Sequence, residues 1–208
     1  KKVVTMMRKT EEEEEDYKKA HIVCVGMAAV DYVAMVSEFP KADDKIRSSQ
    51  LMIEGGGNAA NTACAIGRLQ YSHVSIATAI GTDANGIIID DGLKLDHVHV
   101  DKYVQRYPHG SSAFTYILSV HNNNDNNNNN TRTCIHQPAD FDMTIDFVHQ
   151  SKMFDDNNNN DDNNKWTAVH FDVRQTQVAI HMALKCQELN IPYSVDVEKP
   201  REGLKELM

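Results

Sequence analysis

Basic residues are scarce in this sequence relative to acids. Twenty-one Lys and Arg stand against thirty Asp and Glu, a formal net charge of −9 over 208 residues. A surface for nucleic acid needs clustered Lys and Arg, so no nucleic-acid partner is expected. Much of the acidity lies in Glu11–Asp16, which reads as a solvated run within a charged tail over 1–20 that has no core-forming stripe. Cysteine is also sparse. Cys24, Cys64, Cys134 and Cys186 form no Cys-x-x-Cys pair and each sits in an apolar run. That pattern predicts buried free thiols, not disulfides or a metal site, and suits a reducing compartment. No apolar run approaches the roughly 18 residues of a membrane helix. The start of the chain shows no apolar segment of a secretory signal. The cytoplasm is the expected compartment, and no membrane partner is expected. His97, His99 and His170 have no Cys or carboxylate at a metal-site spacing, so no metal ligand is expected among them.

Two phosphate-binding motifs are missing as well. There is no Gly-Lys-Ser/Thr, which excludes a P-loop. The third glycine of a dinucleotide fingerprint is absent, and the candidate loop does not directly follow a buried strand.

What the chain does have is Glu54-Gly55-Gly56-Gly57-Asn58-Ala59-Ala60-Asn61, running into Thr62–Leu69. Consecutive glycines permit positive φ and close approach of the backbone to a ligand. Asn58 stands where a helix N-cap is expected, and Ala59, Ala63 and Ile66 follow at helical spacing. A helix that starts there aims free N–H groups forward, and Asn61 can add a carboxamide. By spacing alone this is a glycine turn before a helix.

Around it the chain alternates. His21–Gly26 and Val74–Gly81 read as buried strands. Tyr32–Phe39 and Lys45–Ile53 read as strands about the turn at Pro40. Gly81–Gly86 leads into a helix from about Gly86 to Leu95. Ser111–Val120 and Thr131–His136 read as a hairpin lengthened by Asn122–Asn130. Asp155–Asn164 is a second insertion of the same composition. Trp166–Phe171 reads as a strand, followed by a helix over about Gln177–Leu189 and a strand over Pro192–Val197. Strands alternating with helices at this spacing predict an α/β fold with a parallel sheet flanked by helices. Asp31 follows the first strand closely. It is either a ligand contact beyond a carboxyl end or the cap of a turn.

The pattern Gly-Gly-x-Asn-x-x-Asn followed by a small-residue helix resembles the first signature of the PfkB family of ribokinase-like carbohydrate kinases. His21–Gly26, Asp31, Phe39–Arg47 and Val195–Glu202 resemble the same family, and the span 21–208 is similar to the N-terminal part of such a kinase. The glycine loop and Val195–Glu202 look most like ketohexokinase and its relatives. The resemblance implies a ribokinase-like parallel sheet with a small β-sheet lid over about 32–53 and 111–136. It implies that a small sugar is the substrate, bound by Asp31, Asp43, Gly56, Gly57, Asn58 and Asn61, with Arg132 as a lid arginine near substrate and phosphate. For Asp43 a turn residue, and for Arg132 a solvated hairpin residue, are the alternatives. A homodimer through the lid is implied, as is use of ATP with Mg²⁺.

The family's second signature, Asp-Thr-x-Gly-Ala-Gly-Asp, supplies an anion hole and the Asp that acts as base on the sugar hydroxyl. It does not occur in this sequence. The resemblance therefore implies that the main ATP and metal contacts and the catalytic base lie in a missing C-terminal part. On that reading these residues carry sugar binding but are inactive alone. A non-catalytic sugar-binding or interaction protein is the alternative.

Overall fold

The computed structural model describes residues 20–120, 131–154, 166–200 and 202–207. The expectations for the tail before Ala20 and for the runs 122–130 and 155–164 lie outside the described residues.

Two sheets make the frame. The larger holds β1 (Ala20–Val25), β4 (Ser72–Gly81), β5 (Val98–His99), β6 (Val104–Tyr107), β9 (Ala168–Phe171) and β10 (Tyr193–Val195). Its order is β10-β9-β1-β4-β5, and β6 pairs with β4 further along that strand. Every pairing in it is parallel. The ten residues of β4 thus serve two neighbours in turn, Val74–Ser75 pairing with β5 and Thr78–Gly81 with β6. A parallel sheet is covered on both faces, and side chains alternate accordingly. Val23, Val25, Ala77, Val169 and Phe171 join one core, and Cys24, Val74, Ile76 and Ile80 the other.

Among the described residues five helices contribute to these cores. α1 (Asn58–Leu69) and α2 (Ala84–Leu95) supply Ala59, Ala63, Ile89 and Leu93 to the second core. α3 (Ile145–Gln150), α4 (Thr176–Glu188) and α5 (Leu204–Leu207) supply Val148, Met182, Ala183, Cys186 and Leu207 to the first. The helices α3 and α5 and the strand β6 are short, and none of them is marked by the sequence pattern.

The smaller sheet holds β2 (Ala29–Val36), β3 (Gln50–Gly56), β7 (Phe114–Val120) and β8 (Thr131–Gln137) in the order β3-β2-β7-β8. β2 and β7 run parallel, while β3 and β8 are antiparallel to them. The first hairpin differs from the expectation of strands at Tyr32–Phe39 and Lys45–Ile53. β2 starts at Ala29 and so includes Asp31, and β3 runs on through Gly55 and Gly56. Residues 37–49 form the hairpin's turn region instead.

Candidate active site

Only one of the three glycines adopts a conformation that glycine favours. Gly57 has φ 92°, and a Cβ there would lie 2.4 Å from the Met27 carbonyl oxygen. It is the N-cap of α1, so Asn58 is the first helical residue and not the cap that its identity suggests. Gly56 is extended, but a Cβ on it would lie 2.5 Å from the Asp31 carboxyl carbon. The Asp31 carboxylate therefore sits directly over the end of β3. Gly55 would meet nothing within 4 Å.

With no side chain at its N-cap, α1 is capped from elsewhere in the fold. The Asp172 carboxylate, at the carboxyl end of β9, accepts from the N–H of Ala59 at 3.1 Å, of Met27 at 2.8 Å and of Arg174 at 2.9 Å. The Met27 carbonyl accepts from the N–H of Ala60 at 3.3 Å. Two of the donors that end a helix are thus spent on protein groups. The sequence suggests a first turn with its N–H groups free for a ligand, and in this respect the structure differs. Asp172 is 1% exposed. Burial pushes its carboxyl above the usual range despite the three N–H groups that favour the charged form.

Register places Asp31 in a row with Glu54 on β3, Thr115 on β7 and His136 on β8. Directly opposed residues share a face, so this face of the small sheet carries two carboxylates, a hydroxyl and an imidazole side by side. Thr115 Oγ1 and His136 Nδ1 are 3.2 Å apart. Burial and the Arg174 guanidinium hold the imidazole below its usual range, while Asp31 acts in the opposite direction.

Under the base of this sheet lies a cavity of about 210 Å³, lined by residues that include Ala28, Thr78, His136, Phe141, Arg174 and Gln175, but not by Asp31, Gly56, Gly57, Asn58 or Asn61. Among the described residues five buried side-chain polar atoms have no hydrogen-bond partner. Three of them, Thr78 Oγ1, Arg174 Nε and Gln175 Oε1, belong to residues of this one lining. Leaving such atoms unpaired is costly. The cavity is therefore chemically suited to a ligand rich in hydroxyls, which both donate and accept.

The remaining predicted residues are placed as follows. Asn58 Nδ2 lies 3.4 Å from Asp196 Oδ2, beyond β10, and its side chain also bonds Glu198, which Arg174 holds at 2.9 Å. The motif Asp196-Val197-Glu198 thus braces Asn58 from behind. Asn61 is exposed in the first turn of α1. Asp43 is exposed at φ 67° in the turn between β2 and β3, at the end of that hairpin away from Gly56. Arg132 is exposed and pairs in register with Ser119, four residues along β8 from His136, or about 13 Å along the strand. The structure therefore brings Asp31, Gly56, Gly57 and Asn58 together at the junction of the sheets, and sets Asp43 and Arg132 further out. Sequence pattern misses Asp172 as the cap of α1, and also His136 and Thr78. An Asp directly after a buried strand is the available signal for the first, and nothing in the sequence marks the other two.

Among the described residues no group of three or more His, Cys, Asp or Glu is arranged to hold a metal ion, and no helix is long and apolar enough to cross a membrane.

A search of curated proteins gives no match. Solved structures share the fold. A predicted ribokinase from Agrobacterium tumefaciens superposes with a TM-score of 0.70 at 23% identity, over 91% of this chain and 56% of that one. Arabidopsis thaliana ribokinase complexed with ribose and ATP gives 0.65 at 18% identity, over 88% and 54%. Fructokinase with bound ATP from Xylella fastidiosa gives 0.65 at 17% identity, over 91% and 57%. This chain thus spans little more than half the length of these relatives. At such identities the likeness establishes the fold, a ribokinase-like parallel sheet flanked by helices with a second small sheet. The family rests on a different match, that of the model for "pfkB family carbohydrate kinase" to residues 19–177. Since that span is most of the chain and contains the junction of Asp31 with the glycine-led helix, the protein belongs to the pfkB family of carbohydrate kinases.

Proposed function

We propose that this chain binds a small neutral sugar beneath its lid sheet, for transfer of the ATP γ-phosphate to one of the sugar's hydroxyls. The observation that carries the reading is the packing of the Asp31 carboxylate over Gly56, immediately before the first turn of α1. A carboxylate accepts from sugar hydroxyls, and carboxamides donate and accept. Asp31, Asn58 and Asn61 are the proposed direct contacts. Gly56 and Gly57 let the sugar approach the backbone, and Asp43 and Arg132 approach from the outer edge of the lid. Thr78, His136 and Gln175 form the polar wall of the neighbouring cavity. Acidic groups crowd the junction, and Arg174 already pairs with Glu198. That balance favours an uncharged acceptor over one bearing a phosphate. A ketose such as fructose is the proposed substrate within that class, on the likeness of Val195–Glu202 to ketohexokinase.

ATP as donor, with Mg²⁺, rests on the family. The described residues do not fit the phosphates or the ion: two N–H groups at the start of α1 are taken, and no metal-ligating cluster is present. No step is therefore assigned to either group. The role proposed for these residues is to orient the acceptor hydroxyl and exclude water. The match to the carbohydrate-kinase family favours catalysis by the whole protein over sugar binding without it. All four cysteines are free thiols, which fits a reducing compartment such as the cytoplasm, but only Cys24 and Cys186 are buried as expected; Cys64 is half-buried and Cys134 is exposed on the lid strand β8.

Calorimetric titration of the purified chain with ketoses, ribose and nucleosides tests the reading. Saturable binding of a sugar that disappears in Asp31→Ala is expected. Absence of binding by every sugar, or binding untouched by Asp31→Ala, would reject it. Sugar-dependent release of ADP separates catalysis from binding alone.

A further inference from the structure

Away from this junction, α3 and α4 enclose a hollow of about 310 Å³. Its apolar lining includes Val148, Met153 and Phe154. Its charged and titratable lining is His149 from α3, Lys152 from the turn that follows, and His181, Lys185 and Glu188 from α4. Glu188 is already held by Lys185 at 2.6 Å. The two imidazoles meet edge to face with ring centroids 4.8 Å apart. Nε2 of His181 is buried with no hydrogen-bond partner. With Lys185 and Glu188 paired, Lys152 leaves the hollow a single positive excess, on a chain whose net charge is −9.

A concave site with apolar walls strengthens the pull of an excess charge on a counter-ion relative to the same charge on an open surface. Burial, then His149 and Lys185, hold the His181 imidazole below its usual range, with Glu188 opposing. A counter-charge inside the hollow would act against that direction. Ammonium groups and imidazole N–H donors suit the oxygens of a phosphate group.

We propose that the hollow between α3 and α4 is an oxyanion site, holding a small multivalent anion of the phosphate class between His149, Lys152, His181 and Lys185. The site stands apart from the sugar junction and does not depend on the function proposed for it.

The probe is inorganic phosphate, added to the whole chain and compared with sodium chloride at matched ionic strength. The readouts are calorimetry and the histidine side-chain resonances. Saturable binding is expected, with the His149 and His181 resonances moving together. Lys152 is exposed at φ 53°, a conformation that asparagine tolerates, so Lys152→Asn should keep the fold. Its phosphate affinity should fall about tenfold, the scale of one charge-assisted contact. His181→Gln should show a similar fall. Resonance shifts that follow ionic strength alone, no saturation with phosphate, or unchanged affinity in Lys152→Asn would overturn the proposal.

Discussion

Asp172 ties three segments together at one point: the end of β1, the start of α1 and the start of the loop after β9. Even Gly26 answers to it, since a Cβ there would lie 1.9 Å from its carboxylate oxygen. Asp172→Ala leaves buried N–H groups unpaired and should cost about 3 kcal/mol, whereas Asp172→Asn keeps an acceptor and should cost about 1 kcal/mol. Urea melts of the two variants check the ranking, and equal losses would contradict it. Asp83 has a comparable role in the turn after β4. Its carboxylate caps α2 by accepting from Gly86 N–H at 3.0 Å, and it also receives the Ser112 hydroxyl and N–H. Burial pulls this carboxyl upward, but those hydrogen bonds outweigh it and leave it below its usual 3.8. The unfolded chain then binds more protons in acid than the folded one does. The contribution of Asp83 is full above the unfolded value and is lost as the pH falls through the folded value. Asp83→Ala should therefore lose about 2 kcal/mol near neutrality, and the gap from the parent should close on acidification below about pH 3.8. A gap that is constant with pH would show that the carboxylate's charge is not what matters.

At the scale of elements, the glycine run shows what sequence pattern can and cannot deliver. Its position before a helix is legible, because the small-residue periodicity of Ala59, Ala63 and Ile66 starts immediately after it. Which glycine does what is not legible, because that depends on Met27 and Asp31 arriving from other segments. Three substitutions should separate their roles. Gly55→Ala should be nearly silent. Gly56→Ala displaces the flexible Asp31 carboxyl, so the fold should survive and sugar binding should be lost. Gly57→Ala meets backbone at positive φ and should cost about 3 kcal/mol. Thermal melts alongside sugar titrations check all three, and equal behaviour of the three variants would defeat the assignment. The large sheet is legible for a related reason, since strands buried on both faces announce themselves as apolar runs. The small sheet is harder to bound. Its strands are half exposed, so their ends are set by pairing and not by composition, and β2 consequently begins early enough to carry Asp31. Register also frames the first Asn-rich run, because Val120 and Thr131 pair directly across its ends. Loop closure costs grow only with the logarithm of length. Replacing Asn122–Asn130 with a short turn should therefore change stability by only about 1 kcal/mol, and a collapse in melting temperature would refute this.

At the scale of the molecule, the two faces of the small sheet differ in kind. One carries the Asp31, Thr115 and His136 row. The other carries the row Ile53, Tyr32, Tyr116 and Ile135, read across the four strands by the same register. Tyr32 reaches back to α2, where its hydroxyl donates to Asn85 Oδ1 at 2.6 Å. Ile53, Tyr116 and Ile135 are exposed, with Leu51 on the same face. An apolar stripe on a sheet, next to a core that is otherwise well covered, normally has a partner surface. A second copy of the chain meeting it face to face would bury like against like, which is how an isologous dimer forms. The homodimer that the family resemblance implies would then use the outer face of the lid and leave the Asp31 face free for sugar. Light scattering coupled to size exclusion should give twice the monomer mass. Ile135→Lys places a charge in the stripe without touching either core, so it should return the mass to that of a monomer and leave the melting transition of the dilute protein unchanged. A parent chain that elutes as a monomer at every concentration would reject the lid as a dimer surface, and so would an Ile135→Lys variant that still dimerises.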